Sequence, residues 1–145
     1  MADTTPPKQT TPKQTTVHQI AEKRYVGITP DQQRIMIDGA STAKTGMNPM
    51  DLLLNAVGGC AAFDIAEMIK KRRLELYEYR IELTGERADT IPRYYTHIHA
   101  KHIFNVPGLD QKTADRFVEL GMTKYCSVAS SLKSDISFEA VLEAD

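Results

Sequence analysis

Tryptophan is absent from the chain and cysteine occurs only twice, at Cys60 and Cys126. Two cysteines cannot build the dense disulfide framework that staples small secreted domains. Standing 66 positions apart, they form neither a CxxC redox pair nor a zinc-ligand pattern. No charge sign dominates: 18 Lys and Arg against 19 Asp and Glu leave a net charge of −1, so no field draws in nucleic acid or a membrane surface. Long apolar runs are missing too. The longest, Leu52 to Ala62, contains Asn55 and stops well short of the ~20 residues a bilayer span requires. Met1 leads into a polar tail, not a charged n-region followed by an apolar h-region, so no secretory signal is expected. The expected location is the cytoplasm, where thiols are kept reduced. The chain has no Gly-rich phosphate loop, GxSxG elbow or HExxH motif, which leaves nucleotide hydrolysis, serine hydrolysis and zincin chemistry unsupported. No cofactor and no metal are expected.

What is there begins with a tail. Residues 1–16, MADTTPPKQTTPKQTT, repeat PKQTT and carry no large apolar side chain, so nothing offsets the entropy of ordering them. A disordered tail over 1–16 and one domain over 17–145 are the expectation. RYVGI and RIMID flank the turn signal Thr29-Pro30-Asp31 and read as a hairpin. Asn48 then offers an N-cap, Pro49 a first helical residue and Asp51 a carboxylate in the first turn, all helix-start signals. The apolar positions Leu52, Leu53, Ala56, Val57, Cys60, Phe63 and Ile69, with Leu54 and Ile65 beyond them, predict a central helix buried on several sides. KKRR at 70–73 closes it and complements its dipole. Strands over 77–87 and 94–106, an amphipathic helix carrying Ala114, Phe117, Val118 and Met122, the short segment CSVASSL and a last strand ISFEAVLE follow. The order β-β-α-β-β-α-β makes an α+β domain.

Each cysteine has a buried-core reading and a reactive one. Gly58-Gly59, just before Cys60, costs a helix up to ~2 kcal/mol relative to alanine, so something comes close to the backbone there, tight helix packing being the simplest case. Cys126 precedes SVASSL; if that segment starts a helical turn, free N–H groups and the dipole lower the thiol pKa. The strand THIHAKH places His97 and His99 on one face and His102 on the other. Two histidines without a third ligand read as a polar strand face.

NPMDLLLNAVGGC followed by VPGLD and YCSVASSL resembles the OsmC/Ohr family of thiol-dependent hydroperoxide reductases, over roughly Val17 to Glu143. RIMIDG and GERADTIPRYYTHI are similar to its less characterised OsmC-like branch. The resemblance implies an intertwined homodimer with the central helices between sheets. It also implies a site in which Cys60 attacks an organic hydroperoxide, Cys126 resolves it, and an external dithiol, lipoyl-type or small, restores both. The family's peroxidases carry a glutamate directly after Asn-Pro, where this chain has Met50; Asp51 stands one residue along. Asp51 is either a substitute carboxylate or an ordinary helix-start acid. The arginine that such a carboxylate orients has three candidates, Arg93, Arg24 and Arg34. The alternative to catalysis is a dimer of the same fold that binds a small apolar ligand or senses redox state.

Overall fold

The computed structural model describes residues 4–8, 10–39 and 44–144; positions 1–3 and 9 of the expected tail lie outside it. The chain divides into two compact units, Met1–Pro49 and Met50–Asp145.

The first unit is a three-stranded antiparallel sheet in the order β1-β2-β3, with β1 Thr16–Ala21, β2 Arg24–Ile28 and β3 Arg34–Asp38. The hairpin β2–β3 is the one the turn signal announces, closed by the Gln32 amide donating to the Thr29 carbonyl at 2.9 Å. The strand β1 is an addition to the expected order. All six of its residues are exposed, Val17 and Ile20 included, so no inside–outside alternation marked it in the sequence.

The second unit holds the core. The helix α1 (Pro49–Lys71) starts and stops where the cap residues and basic cluster place it. The strands β4 (Glu78–Arg87), β5 (Tyr95–Asn105) and β6 (Asp135–Leu142) form a sheet in that order, with β4–β5 antiparallel and β5–β6 parallel. Parallel pairing needs a crossover, supplied by α2 (Gln111–Glu119), a π-helical segment Leu120–Tyr125 and the four-residue helix α3 (Ser127–Ser130). The Asp110 carboxylate caps α2 by accepting the Thr113 N–H at 2.8 Å. Ala114, Phe117, Val118 and Met122 are buried together, as their spacing predicts.

Within the chain α1 buries one stripe, Val57, Gly58, Ala61, Ile65 and Ile69, spaced to line one side of a helix. Phe63, expected on the buried face, is 78% exposed; it lies off the stripe that Val57, Ala61, Ile65 and Ile69 form. The expected burial on several sides is therefore met on one side by the chain's own atoms. With 23 residues and a mean hydropathy of 1.5 over its most apolar window, α1 is long and apolar enough to cross a membrane by length and composition. A core helix packed like this one passes the same test.

The start of α1 is pinned by Tyr95, whose hydroxyl donates to the Met50 carbonyl at 2.8 Å. Its ring occupies the space a side chain at Gly85 would need: a Cβ built there collides with Cδ1 and Cε1 of Tyr95. Gly85→Ala is expected to lower stability by about 1–3 kcal/mol through overpacking, read as a lower urea midpoint. An unchanged midpoint would show that Tyr95 moves aside freely.

Candidate functional site

Cys60 lies mid-way along α1 and is half-buried; Cys126 is 1% exposed, and both are free thiols. The crossover brings Cys126 back to α1, where its thiol donates to the Val57 carbonyl at 3.6 Å. The Cys60 thiol lies close enough to raise the Cys126 pKa. Residues remote in sequence thus become one dithiol site.

Cys126 is the N-cap of α3, and its sulfur accepts the Ala129 N–H at 3.4 Å. The sequence places it at that helix start but gets the consequence reversed. Burial pushes the Cys126 thiol up; the Ala129 N–H pulls it down, Cys60 raises it further, and the net direction is upward. Desolvation of the charged form outweighs one amide dipole. Val57, read in the sequence only as a core position, and Ala129 hold the thiol through their backbones; only the SVAS segment hinted at the amide.

The two glycines before Cys60 have separate explanations. A Cβ on Gly58 would stand 2.7 Å from Leu83 Cδ1, whereas one on Gly59 would meet nothing within 4 Å. The close approach is a strand side chain from β4, not a second helix, and only Gly58 is tied to it. Gly59 opens onto a groove of about 250 Å³ between α1 and β4, lined also by Ala62, Tyr79, Ile81 and Leu83.

Asp51 is exposed in the first turn of α1, nine residues or ~13 Å along the helix from Cys60. Its charge acts on Tyr95: burial, then Asp51, raise that hydroxyl's pKa, and Arg87 lowers it. The cation beside this corner is therefore Arg87, which sequence reasoning did not single out. Arg93 is exposed in the β4–β5 connection, where its carbonyl accepts the Arg87 Nε–H at 2.8 Å. In the first unit, Arg24 lies 3.8 Å from the buried Asp38 carboxylate, and Arg34 is exposed at the start of β3. The structure unites Cys60 with Cys126; it does not set Asp51 beside them. Among the described residues no group of three or more His, Cys, Asp or Glu is arranged around a metal position.

A two-sheet α+β chain with one thiol on a long helix and its neighbour buried at the cap of a short one defines a class of dithiol-bearing domain. The chain belongs to the OsmC-like protein family, whose model matches residues 38–141. Protein YhfA of Escherichia coli strain K12 is 34% identical over 113 residues, 78% of this chain and 84% of that protein. A hypothetical protein from Aquifex aeolicus VF5 has a similar structure, with a TM-score of 0.82 and 25% identity over 94% of this chain and 99% of that one. An organic hydroperoxide resistance protein OsmC from Legionella pneumophila shares the fold, with a TM-score of 0.62 at 13% identity over 94% of this chain and 99% of that one.

Proposed function

We propose that the chain is a thiol peroxidase that reduces organic hydroperoxides at Cys60 and Cys126. The observation that carries this reading is the pairing of a half-buried thiol with a buried neighbouring one. The Cys60 thiolate attacks the outer peroxide oxygen, the O–O bond breaks, and the alkoxide takes a proton to leave as an alcohol. Cys60 becomes a sulfenic acid. Cys126 then attacks that sulfur, a disulfide forms and water leaves; an external dithiol reduces the disulfide by exchange and is itself oxidised. The half-buried thiol suits the first role and the buried one the second. The hydroperoxide resistance protein of the same fold supports the substrate class.

The same reading includes a homodimer, because exposed Phe63 and the open side of Gly59 leave apolar surface of α1 for a second copy to cover. A reducing compartment such as the cytoplasm fits two free thiols. Stopped-flow mixing with an organic hydroperoxide tests the chemistry. Wild type is expected to consume it rapidly and form a Cys60–Cys126 disulfide, while Cys60→Ser falls to the uncatalysed rate. Equal, slow consumption by both proteins would overturn the proposal.

One observation favours a second reading, a non-catalytic module that binds a small apolar ligand. Met50 replaces the family carboxylate, and Asp51 stands two and a half turns from the thiol. A ligand retained in native mass spectra, together with peroxide consumption no faster than that of Cys60→Ser, would support it.

A further inference from the structure

The outer face of the β4-β5-β6 sheet carries a hydrogen-bonded network that the dithiol site does not use. His97 and His99 alternate onto this face of β5, and both meet the same hydroxyl on β6. His97 Nε2 lies 2.8 Å from Ser137 Oγ, and His99 Nδ1 lies 2.6 Å from it. The other nitrogen of His99, Nε2, is 2.5 Å from Glu139 Oε2. A carboxylate only accepts, so Nε2 of His99 carries the ring proton. When Nδ1 is unprotonated its lone pair faces Ser137 Oγ, where His97 Nε2 also arrives.

This is the arrangement of a metal-binding histidine: one nitrogen directed to a shared point, the other held by a carboxylate that fixes tautomer and ring orientation. The surrounding charge agrees. Glu86 and Asp135 are the register partners of His97 on the two neighbouring strands, and Glu82 and Glu139 those of Lys101. Register partners share a sheet face, so four carboxylates and one lysine frame the imidazole pair. Imidazole nitrogens select late first-row ions such as nickel, copper and zinc over magnesium or calcium, which prefer oxygen. Two nitrogens fall short of a closed three-ligand cage, which makes the site open and exchangeable.

We infer that His97 Nε2 and His99 Nδ1 chelate a divalent late transition-metal ion, with Ser137 Oγ beside it, water completing its shell and Glu139 positioning His99. Starting from neutral rings no proton is lost, because the His97 ring proton moves to its outward nitrogen when Nε2 takes the metal. The sequence sets His97 and His99 on one strand face but could not show the shared hydroxyl and the positioning carboxylate, which arrive from β6, some 40 residues away.

Calorimetric titration of the full chain with Ni2+ is the test. One equivalent is expected to bind. His97→Gln and His99→Gln should each weaken it at least ~10-fold and Glu139→Gln by about 10-fold, as for outer-shell partners. His18→Gln, in the first unit, should leave it unchanged. Ni2+ should raise the Tm of wild type and not of His99→Gln. Absence of binding, wild-type affinity in both strand-histidine variants, or a thiolate-to-nickel absorption band would overturn the site.

Discussion

Cys126→Ser is expected to leave the first turnover with an organic hydroperoxide intact and to stall the second. Cys60 remains able to attack, so a fast burst equal to one oxidised thiol per chain should persist. What disappears is the neighbour that condenses with the sulfenic acid. Resolution then waits for collision with an external thiol, and steady-state turnover should fall ~100-fold or more, because a positioned neighbour acts at high effective concentration. Mass spectrometry should find Cys60 sulfenic acid, progressing to sulfinic acid at excess peroxide, with no intramolecular disulfide. In wild type the disulfide-forming step should still be accelerating above pH 9, because burial holds the Cys126 thiol above its usual 9.0. A Cys126→Ser protein that cycles at the wild-type rate would remove Cys126 from the mechanism.

The second large effect concerns stability in acid. His102 is fully buried on β5; its Nδ1 lies 2.7 Å from the Tyr79 hydroxyl, and its Nε2 has no partner. Its ring is stacked with those of Tyr79 and Phe104. Burial lowers its pKa from 6.5 to about 4, so the native imidazole is neutral. As pH falls below 6.5 the unfolded chain takes up a proton that the native state refuses, and the native state loses stability until pH reaches about 4. The full shift corresponds to about 3 kcal/mol, a large part of an ordinary domain's stability. Urea midpoints at pH 7, 5.5 and 4 should fall steeply for wild type and less for His102→Phe, which cannot take up the proton in either state. Parallel falls in the two proteins would show that other groups carry the acid sensitivity.

Most of the second unit was legible in the sequence because its signals are local. Asn48-Pro49 and the KKRR run bound α1, alternation marks β4, and the spacing of Ala114, Phe117, Val118 and Met122 marks the helical stretch above the core. The unpredicted strand β1 shows the limit of such signals. An edge strand that buries none of its own side chains is specified by backbone pairing with β2, which leaves no periodicity to read. Phe63 failed for a related reason: an apolar residue on a helix announces that something covers it, not which chain does.

By itself the sequence determined the β2–β3 hairpin, the limits of α1, the approximate course of β4, β5 and β6, the α+β class and the presence of two cysteines in unusual local frames. Only the tertiary structure decided that those cysteines are neighbours. It also decided that Gly58 admits Leu83 while Gly59 stays open, that Arg87 rather than Arg93 acts on Tyr95 beside Asp51, and that His97 and His99 share one hydroxyl. The physical reason is the same in each case. Propensity, capping and periodicity act over a few residues, whereas burial and the meeting of side chains depend on the crossover that returns β6 alongside β5. The Cys126 thiol shows it most directly: the helix start that the sequence reads correctly favours a thiolate, and the burial that only the fold supplies overrides it.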